Sequence, residues 1–246
     1  MIGFAKPLSR GARAVVTGAG SGIGREFAIE LGRRGSDVIC ADINEAGAAE
    51  TVKLIEAAGG RALAITCDVS SRADVESLLK AATSWLGQTP TLLINNAGIG
   101  AGGRSVGATP LDDWERTLGI NLWGVIYGCH FFLPAMKMAG RGGVINVASA
   151  AGFAAGPRMA AYNVSKAGVM SLSETLAAEL SGTGVRVTVL CPTFVRTNIF
   201  GGDLIEEGAA ASAARVASFV GMSPTKVARM TLDAHDKGRL YVVPQL

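Results

Sequence analysis

Tyr162 and Lys166 stand four residues apart in Tyr162-Asn163-Val164-Ser165-Lys166. On a helix that spacing puts both on one face, where their side chains meet. A free phenol titrates near about 10 and a lysine near about 10.4. An ammonium held beside the phenol favours the phenolate and lowers its pKa. The pair then forms a general acid/base that exchanges a proton with an alcohol or ketone near neutral pH. The same spacing also occurs on ordinary amphipathic helices, with the tyrosine half-buried and the lysine in water. The surrounding elements therefore have to decide what the pair does.

Those elements alternate. Short β-rich runs at 12–17, 36–42, 62–67, 91–94, 143–148, 185–191 and 240–243 are separated by helical patterns at 25–34, 45–58, 71–86, 110–119, 120–138, 159–180 and 224–237. Strands joined by helices of this length predict βαβ crossovers, and so a Rossmann-type α/β fold: a doubly wound parallel sheet of about seven strands with helices on both faces. The 246 residues are 49% apolar and 17% charged with 33 glycines, as expected where strands are covered on both faces. No linker or low-complexity tract interrupts the chain, so one domain over 1–246 is expected. In such a sheet ligands bind beyond the carboxyl ends of the strands. Asp42, Asp68, Asn95, Ser149 and Pro192 each follow a strand there.

The first strand runs into Gly18-Ala19-Gly20-Ser21-Gly22-Ile23-Gly24. Glycines at this place let backbone approach a phosphate at a helix N-terminus. The spacing G-x-G-x-x-G is absent. The glycines fit T-G-x-x-x-G-x-G at Gly18, Gly22 and Gly24, and also G-x-G-x-G at Gly18, Gly20 and Gly22, a pattern that methyltransferases using S-adenosylmethionine can show. Asp42 closes the second strand, 18 residues after Gly24. A carboxylate there accepts hydrogen bonds from ribose hydroxyls and repels a 2′-phosphate, which favours NAD over NADP. Asp68 is within reach of an adenine amino group if a nucleotide lies across the sheet, or else it caps the helix that begins near Ser71.

With Asn95-Asn96-Ala97-Gly98 added to residues 17–24, Ser149 and Tyr162 to Lys166, the chain resembles the compact, single-domain branch of the short-chain dehydrogenase/reductase family. The likeness covers nearly the whole chain, with four motifs in the family's order. It implies a nicotinamide cofactor and reversible oxidation of an alcohol to a ketone or aldehyde. It implies that Tyr162 exchanges the proton, that Lys166 lowers the phenol's pKa and binds nicotinamide-ribose hydroxyls, and that Ser149 holds the substrate oxygen. Asn121, in Asn121-Leu122-Trp123-Gly124, matches the asparagine that holds a water in the proton relay behind the lysine. The cofactor positions it implies are Gly18, Ser21, Gly22, Ile23, Gly24, Asp42, Asp68, Val69, Asn95, Ala97, Gly98, Tyr162, Lys166, Val195 and Thr197.

One departure stands out. Relatives have Pro-Gly after the sixth strand, and this chain has Pro192-Thr193, which strains the loop if a left-handed φ is required there. Residues 194–222 correspond to the relatives' substrate lid. Phe194, Phe200, Leu204, Ile205, Phe219, Val220 and Met222 then suggest an apolar substrate wall. Arg104, Arg158 and Arg196 could meet an acidic substrate, or are isolated surface arginines.

Composition excludes other classes. A net charge of +3 leaves no nucleic-acid footprint. The start has no apolar core for a signal peptide, and no unbroken 18-residue apolar stretch suggests a membrane span, so a cytoplasmic protein is expected. Cys40, Cys67, Cys129 and Cys191 lack metal spacing and, with two histidines, predict no metal site. Cys40, Cys67 and Cys191 end strands, where buried thiols are expected. The leading reading is an NAD-dependent secondary-alcohol dehydrogenase and ketone reductase with a small, apolar substrate. Relatives are mostly tetramers or dimers, so a homo-oligomer is implied. The alternatives are a reductase of 3-oxoacyl thioesters, a methyltransferase and a catalytically idle NAD-binding module.

Overall fold

The computed structural model describes residues 7–245. Residues 1–6, which belong to the start read as lacking a signal-peptide core, and Leu246 lie outside it, as do the side chains of Asn198, Phe200 and Ala213. The strands are β1 (Arg13–Thr17), β2 (Asp37–Asp42), β3 (Arg61–Thr66), β4 (Leu92–Asn95), β5 (Gly142–Val147), β6 (Val185–Leu190) and β7 (Tyr241–Val242). All pair in parallel, in the order β3-β2-β1-β4-β5-β6-β7. The order reverses between β1 and β4, which opens a crevice beyond their carboxyl ends.

Successive strand residues point to opposite faces, and both faces are covered. Val15, Ile39, Leu93 and Val144 pack under α3 (Arg72–Leu86), α5 (Gly124–Met138) and α6 (Ala160–Glu179), where Leu78, Phe132 and Val169 meet them. Val16, Val38, Ile94 and Ile145 face α1 (Gly22–Arg33), α2 (Glu45–Ala57) and α8 (Pro224–Asp236), through Phe27, Ile55 and Val227. This double burial is why the strands read as Val/Ile runs without a polar face. Cys40, Cys67, Cys129 and Cys191 are all buried free thiols. Burial pushes each of them up to about 12.

The two helices expected at 110–119 and 120–138 are fused. α4 (Leu111–Leu118) runs into α5 through a π turn over Gly119–Trp123, giving one helix from Leu111–Met138. Such widened turns re-aim side chains and are frequent at functional sites. This helix is long and apolar enough to cross a membrane by length and composition. In the fold it packs on α3 and α6. After β6 the chain makes a 3-10 turn at Asn198–Gly201, then α7 (Glu207–Val220), before α8.

Candidate active site

The glycine loop after β1 is shaped by contacts that no larger residue permits. Gly18 and Gly22 hold φ of 65° and 55°, the left-handed region. A Cβ on Gly24 would lie 2.0 Å from the Gly18 carbonyl and 2.4 Å from Asn96 Nδ2. Ser21 precedes α1 without capping it through its side chain, so the first turn's N–H groups get no cap from that hydroxyl. Asp42 holds the loop from β2: Oδ2 accepts the Gly20 N–H at 2.8 Å and Oδ1 accepts the Asn44 N–H at 2.8 Å. Ile23 is partly buried and packs with the core beneath α1.

At the ends of β3 and β4 the geometry separates side chains that the sequence grouped. The cap of α3 is Ser71, which accepts from Asp74, not Asp68. Asp68 instead accepts the N–H and hydroxyl of Ser70. Val69 is buried, and a Cβ on Gly124 would lie 2.9 Å from it. Asn95 turns its carboxamide into the core, where Nδ2 donates to Asn146 Oδ1 at 2.9 Å, so only its backbone faces the crevice. Ala97 donates its N–H to Thr17 Oγ1 at 3.1 Å, tying the β4 loop to β1.

Asn121, Lys166, Ser149 and Tyr162 come together beyond β4 and β5. The π turn aims Asn121 at the β4 loop, where its amide accepts the Ile99 N–H at 2.8 Å and donates to the Ile99 carbonyl at 2.9 Å. A Cβ on Gly98 would lie 3.1 Å from Asn121 Oδ1 and 3.5 Å from Lys166 Nζ, so both groups converge on that bare Cα. Lys166 is buried and donates to the Val147 carbonyl at 3.0 Å, with its Nζ 5.7 Å from the centre of the Tyr162 ring. Burial pushes the lysine down to about 8, against the pull of Cys191. Burial also raises the Tyr162 phenol above its ordinary value, and a hydrogen bond with the Ser149 hydroxyl opposes that rise. Ser149 Oγ accepts the Ala151 N–H at 3.2 Å and faces the Pro192 carbonyl at 3.5 Å. The opposing influence at the phenol is thus the Ser149 hydroxyl, with Lys166 stationed over the ring.

The loop after β6 closes the other side. A Cβ on Gly22 would lie 3.2 Å from the Thr197 methyl, so this loop crosses the glycine loop. Val195 is buried and bridges to Met222. Among the described residues the one non-glycine with positive φ is Arg158, so Thr193 sits in ordinary backbone and costs no left-handed strain. Further out, Gly102 bridges to Ile205, Arg104 meets Glu206 at 3.3 Å, and Arg116 meets Asp203 at 2.7 Å. Arg196 is spent on the Gly221 carbonyl at 2.7 Å. The apolar wall is smaller than expected: Phe219 and Val220 are 79% and 66% exposed on α7, and the Phe200 side chain lies outside the described residues. A cavity of about 530 Å³ lies at the opposite end of β6, lined in part by Arg141 and Arg186, away from all of these groups.

A family described as short chain dehydrogenase matches residues 12–206. The chain belongs to that family. It is 41% identical over 185 residues to "Probable oxidoreductase EphD" of Mycobacterium tuberculosis (strain ATCC 25618 / H37Rv), a match that takes in 75% of this chain and 31% of that longer protein. It is 36% identical over 190 residues to meso-2,3-butanediol dehydrogenase of Serratia marcescens, covering 76% of this chain and 73% of the relative. The crystal structure of a short chain dehydrogenase/reductase from Burkholderia phymatum in complex with NAD superposes with a TM-score of 0.90 at 35% identity, over 99% of this chain and 90% of that one.

Two residues that shape the site of this short chain dehydrogenase escape a reading of its motifs. Asn96 donates Nδ2 to the carbonyls of Thr17 and Gly18 at 3.0 and 3.2 Å, and locks the glycine loop to β4. Its place in the Asn-Asn pair is a signal for it. Arg25 reaches back from α1 to the Gly20 and Gly47 carbonyls and to Glu50, and braces the loop against α2. No local pattern announces that contact.

Proposed function

We propose that the protein is an NAD-dependent oxidoreductase that interconverts a secondary alcohol and a ketone. The observation that carries this is the buried Lys166, its Nζ 5.7 Å from the centre of the Tyr162 ring on the same helix and, with Asn121, converging on Gly98. The glycine cradle of Gly18, Gly22 and Gly24 and the carboxylate of Asp42 suit a dinucleotide, its pyrophosphate at the start of α1 and its ribose toward Asp42. Ser21, Ile23, Asp68, Val69, the backbone of Asn95, Ala97, Gly98, Val195 and Thr197 border the same crevice in this reading. A bound nicotinamide would supply the hydride chemistry, in either direction, at the carbon that bears the oxygen.

The chain's own groups manage the proton and the oxygen. Ser149 holds the substrate oxygen beside the phenol. On oxidation Tyr162 accepts the hydroxyl proton, and on reduction it supplies a proton to the carbonyl oxygen as charge develops there. Lys166, over the phenol ring, favours the phenolate while it remains an ammonium. Asn121 anchors the loop at Ile99 and orders the proton path behind Lys166.

Residues 194–222 act as the substrate lid on a single domain spanning 1–246. The Ile205 side chain, whose Cδ1 would lie 2.6 Å from a Cβ on Gly100, favours an apolar substrate. Exposed Leu111, Trp123 and Val164 on α4, the π turn and α6 support a homo-oligomer through those helices. We read the protein as cytoplasmic, acting without nucleic acid, membrane or metal. A methyltransferase gives Tyr162, Lys166 and Asn121 no shared task. Asp42 weighs against the NADPH typical of 3-oxoacyl thioester reductases. A screen of secondary alcohols and ketones with NAD(H) and NADP(H) tests the reading: turnover with NAD(H) on small apolar alcohols is expected. NAD binding without turnover of any member returns the idle module.

A further inference from the structure

The pairing between β6 and β7 stops early. Its last backbone bonds are Val189 N–H to the Leu240 carbonyl at 2.7 Å and Cys191 N–H to the Val242 carbonyl at 2.8 Å. Pro244 then follows on β7 and has no N–H to continue the ladder, while Pro192 after β6 faces the β5 side through its carbonyl. Beyond Pro244 the pairing resumes through a side chain. Gln245 Oε1 accepts the Thr193 N–H at 3.2 Å, and Gln245 Nε2 donates to the Phe194 carbonyl at 2.8 Å. A carboxamide carries the same acceptor and donor as a peptide unit, so it can take the place of the missing backbone rung.

The rung falls where three parts of the site meet. Just upstream, the Pro192 carbonyl accepts the Ala150 N–H at 2.9 Å and faces the Ser149 hydroxyl at 3.5 Å. At the rung itself, the Phe194 carbonyl also accepts the Met222 N–H at 2.9 Å. Just downstream, Arg196 N–H donates to the Met222 carbonyl at 3.1 Å. Segment 194–222 thus leaves and returns at one short bridged base, and Gln245 grips that base from β7. We propose that Gln245 is a positioning residue, which clamps the base of the substrate lid and sets it against Ser149. The assignment rests on the dehydrogenase reading of the site. Losing the clamp lowers the fraction of molecules with the lid in place, which weakens apparent substrate binding more than it slows the bound complex.

The test uses the full chain in three forms: wild type, Gln245→Leu and Gln245→Glu. Leucine keeps the bulk and makes neither bond. Its KM for a turned-over alcohol is expected to rise about fivefold, with kcat within about twofold. Amide hydrogen exchange should quicken at 193–196 and 218–222 while β5 and the body of β6 stay protected. Glutamate still accepts the Thr193 N–H, but as a carboxylate it opposes the Phe194 carbonyl, and only its protonated form donates. Its KM at neutral pH should therefore stay raised above wild type, because a carboxylate titrating near about 4.3 is ionised there and cannot donate. Unchanged KM and exchange in Gln245→Leu overturn the clamp. So does a uniform rise in exchange across the sheet with KM unchanged, which marks a general stabiliser. If the wild type oxidises no alcohol with either dinucleotide, the dehydrogenase reading fails, and the exchange pattern still decides whether the clamp exists.

Discussion

Gly98 and Asn121 meet so closely that a methyl group on Gly98 would sit 3.1 Å from Asn121 Oδ1. The same methyl would lie 3.5 Å from Lys166 Nζ. Gly98 does not hold a left-handed φ, so its lack of a side chain serves this close approach and not a turn. Gly98→Ala should therefore fold normally and displace the Asn121 carboxamide by a few tenths of an ångström, with Lys166 left in ordinary contact. The expected result is roughly a tenfold loss of kcat with an unaltered melting temperature, from steady-state kinetics and thermal unfolding side by side.

Asp42 joins two tasks in one carboxylate, since it anchors the glycine loop and faces the position proposed for the ribose. Asp42→Asn keeps the shape and removes the charge. The Gly20 N–H bond to a charged acceptor is lost, and so is the repulsion of a 2′-phosphate. The kcat/KM for NAD should fall roughly tenfold, and the ratio of NADP to NAD use should rise. An unchanged ratio would remove Asp42 as the selector.

His235 predicts how stability responds to acid. Its Nδ1 lies 2.9 Å from Thr188 Oγ1, and that hydroxyl already donates to the Arg239 carbonyl at 2.8 Å. Nδ1 must then carry the proton, which leaves Nε2 as a bare lone pair. Nε2 is buried without a partner, and a Cβ on Gly143 would lie 2.2 Å from it. Burial lowers His235 to about 4, opposed by Asp236 and assisted by Arg186. The fold keeps this histidine neutral, so the unfolded chain binds the extra proton below the usual value of 6.5. Stability is full above that pH and is lost as the pH falls toward about 4, by roughly 3 kcal/mol. Urea unfolding from about pH 7 down to about pH 4.5 should show the loss in the wild type, and His235→Asn should flatten that part of the slope.

These cases also mark what the sequence could and could not convey. The seven strands are legible to within about a residue, because burial on both faces demands apolar runs such as Val185 to Leu190. Ser149, Tyr162 and Lys166 are legible as a group, because each sits at a fixed place after β5 or along α6. The direction of their mutual influence is not. Helix spacing puts Lys166 beside the phenol, but its ammonium turns to the Val147 carbonyl, and burial raises the phenol above its ordinary value. Asn95 is legible as the end of β4, yet the face its amide takes depends on Asn146 in the next strand and on the bare Cα of Gly128, 2.2 Å from Asn95 Oδ1 once given a Cβ. Phe219 and Val220 look like a substrate wall in one dimension. Their exposure follows from how α7 is set on the body, which no local pattern encodes.

The central claim is that Tyr162 is the acid/base of an alcohol oxidation. The most direct measurement is turnover and NADH affinity in the same preparation of Tyr162→Phe. Turnover is expected to fall roughly hundredfold to ten-thousandfold, with NADH binding by fluorescence titration close to wild type. Turnover near the wild-type rate in that variant would contradict the claim.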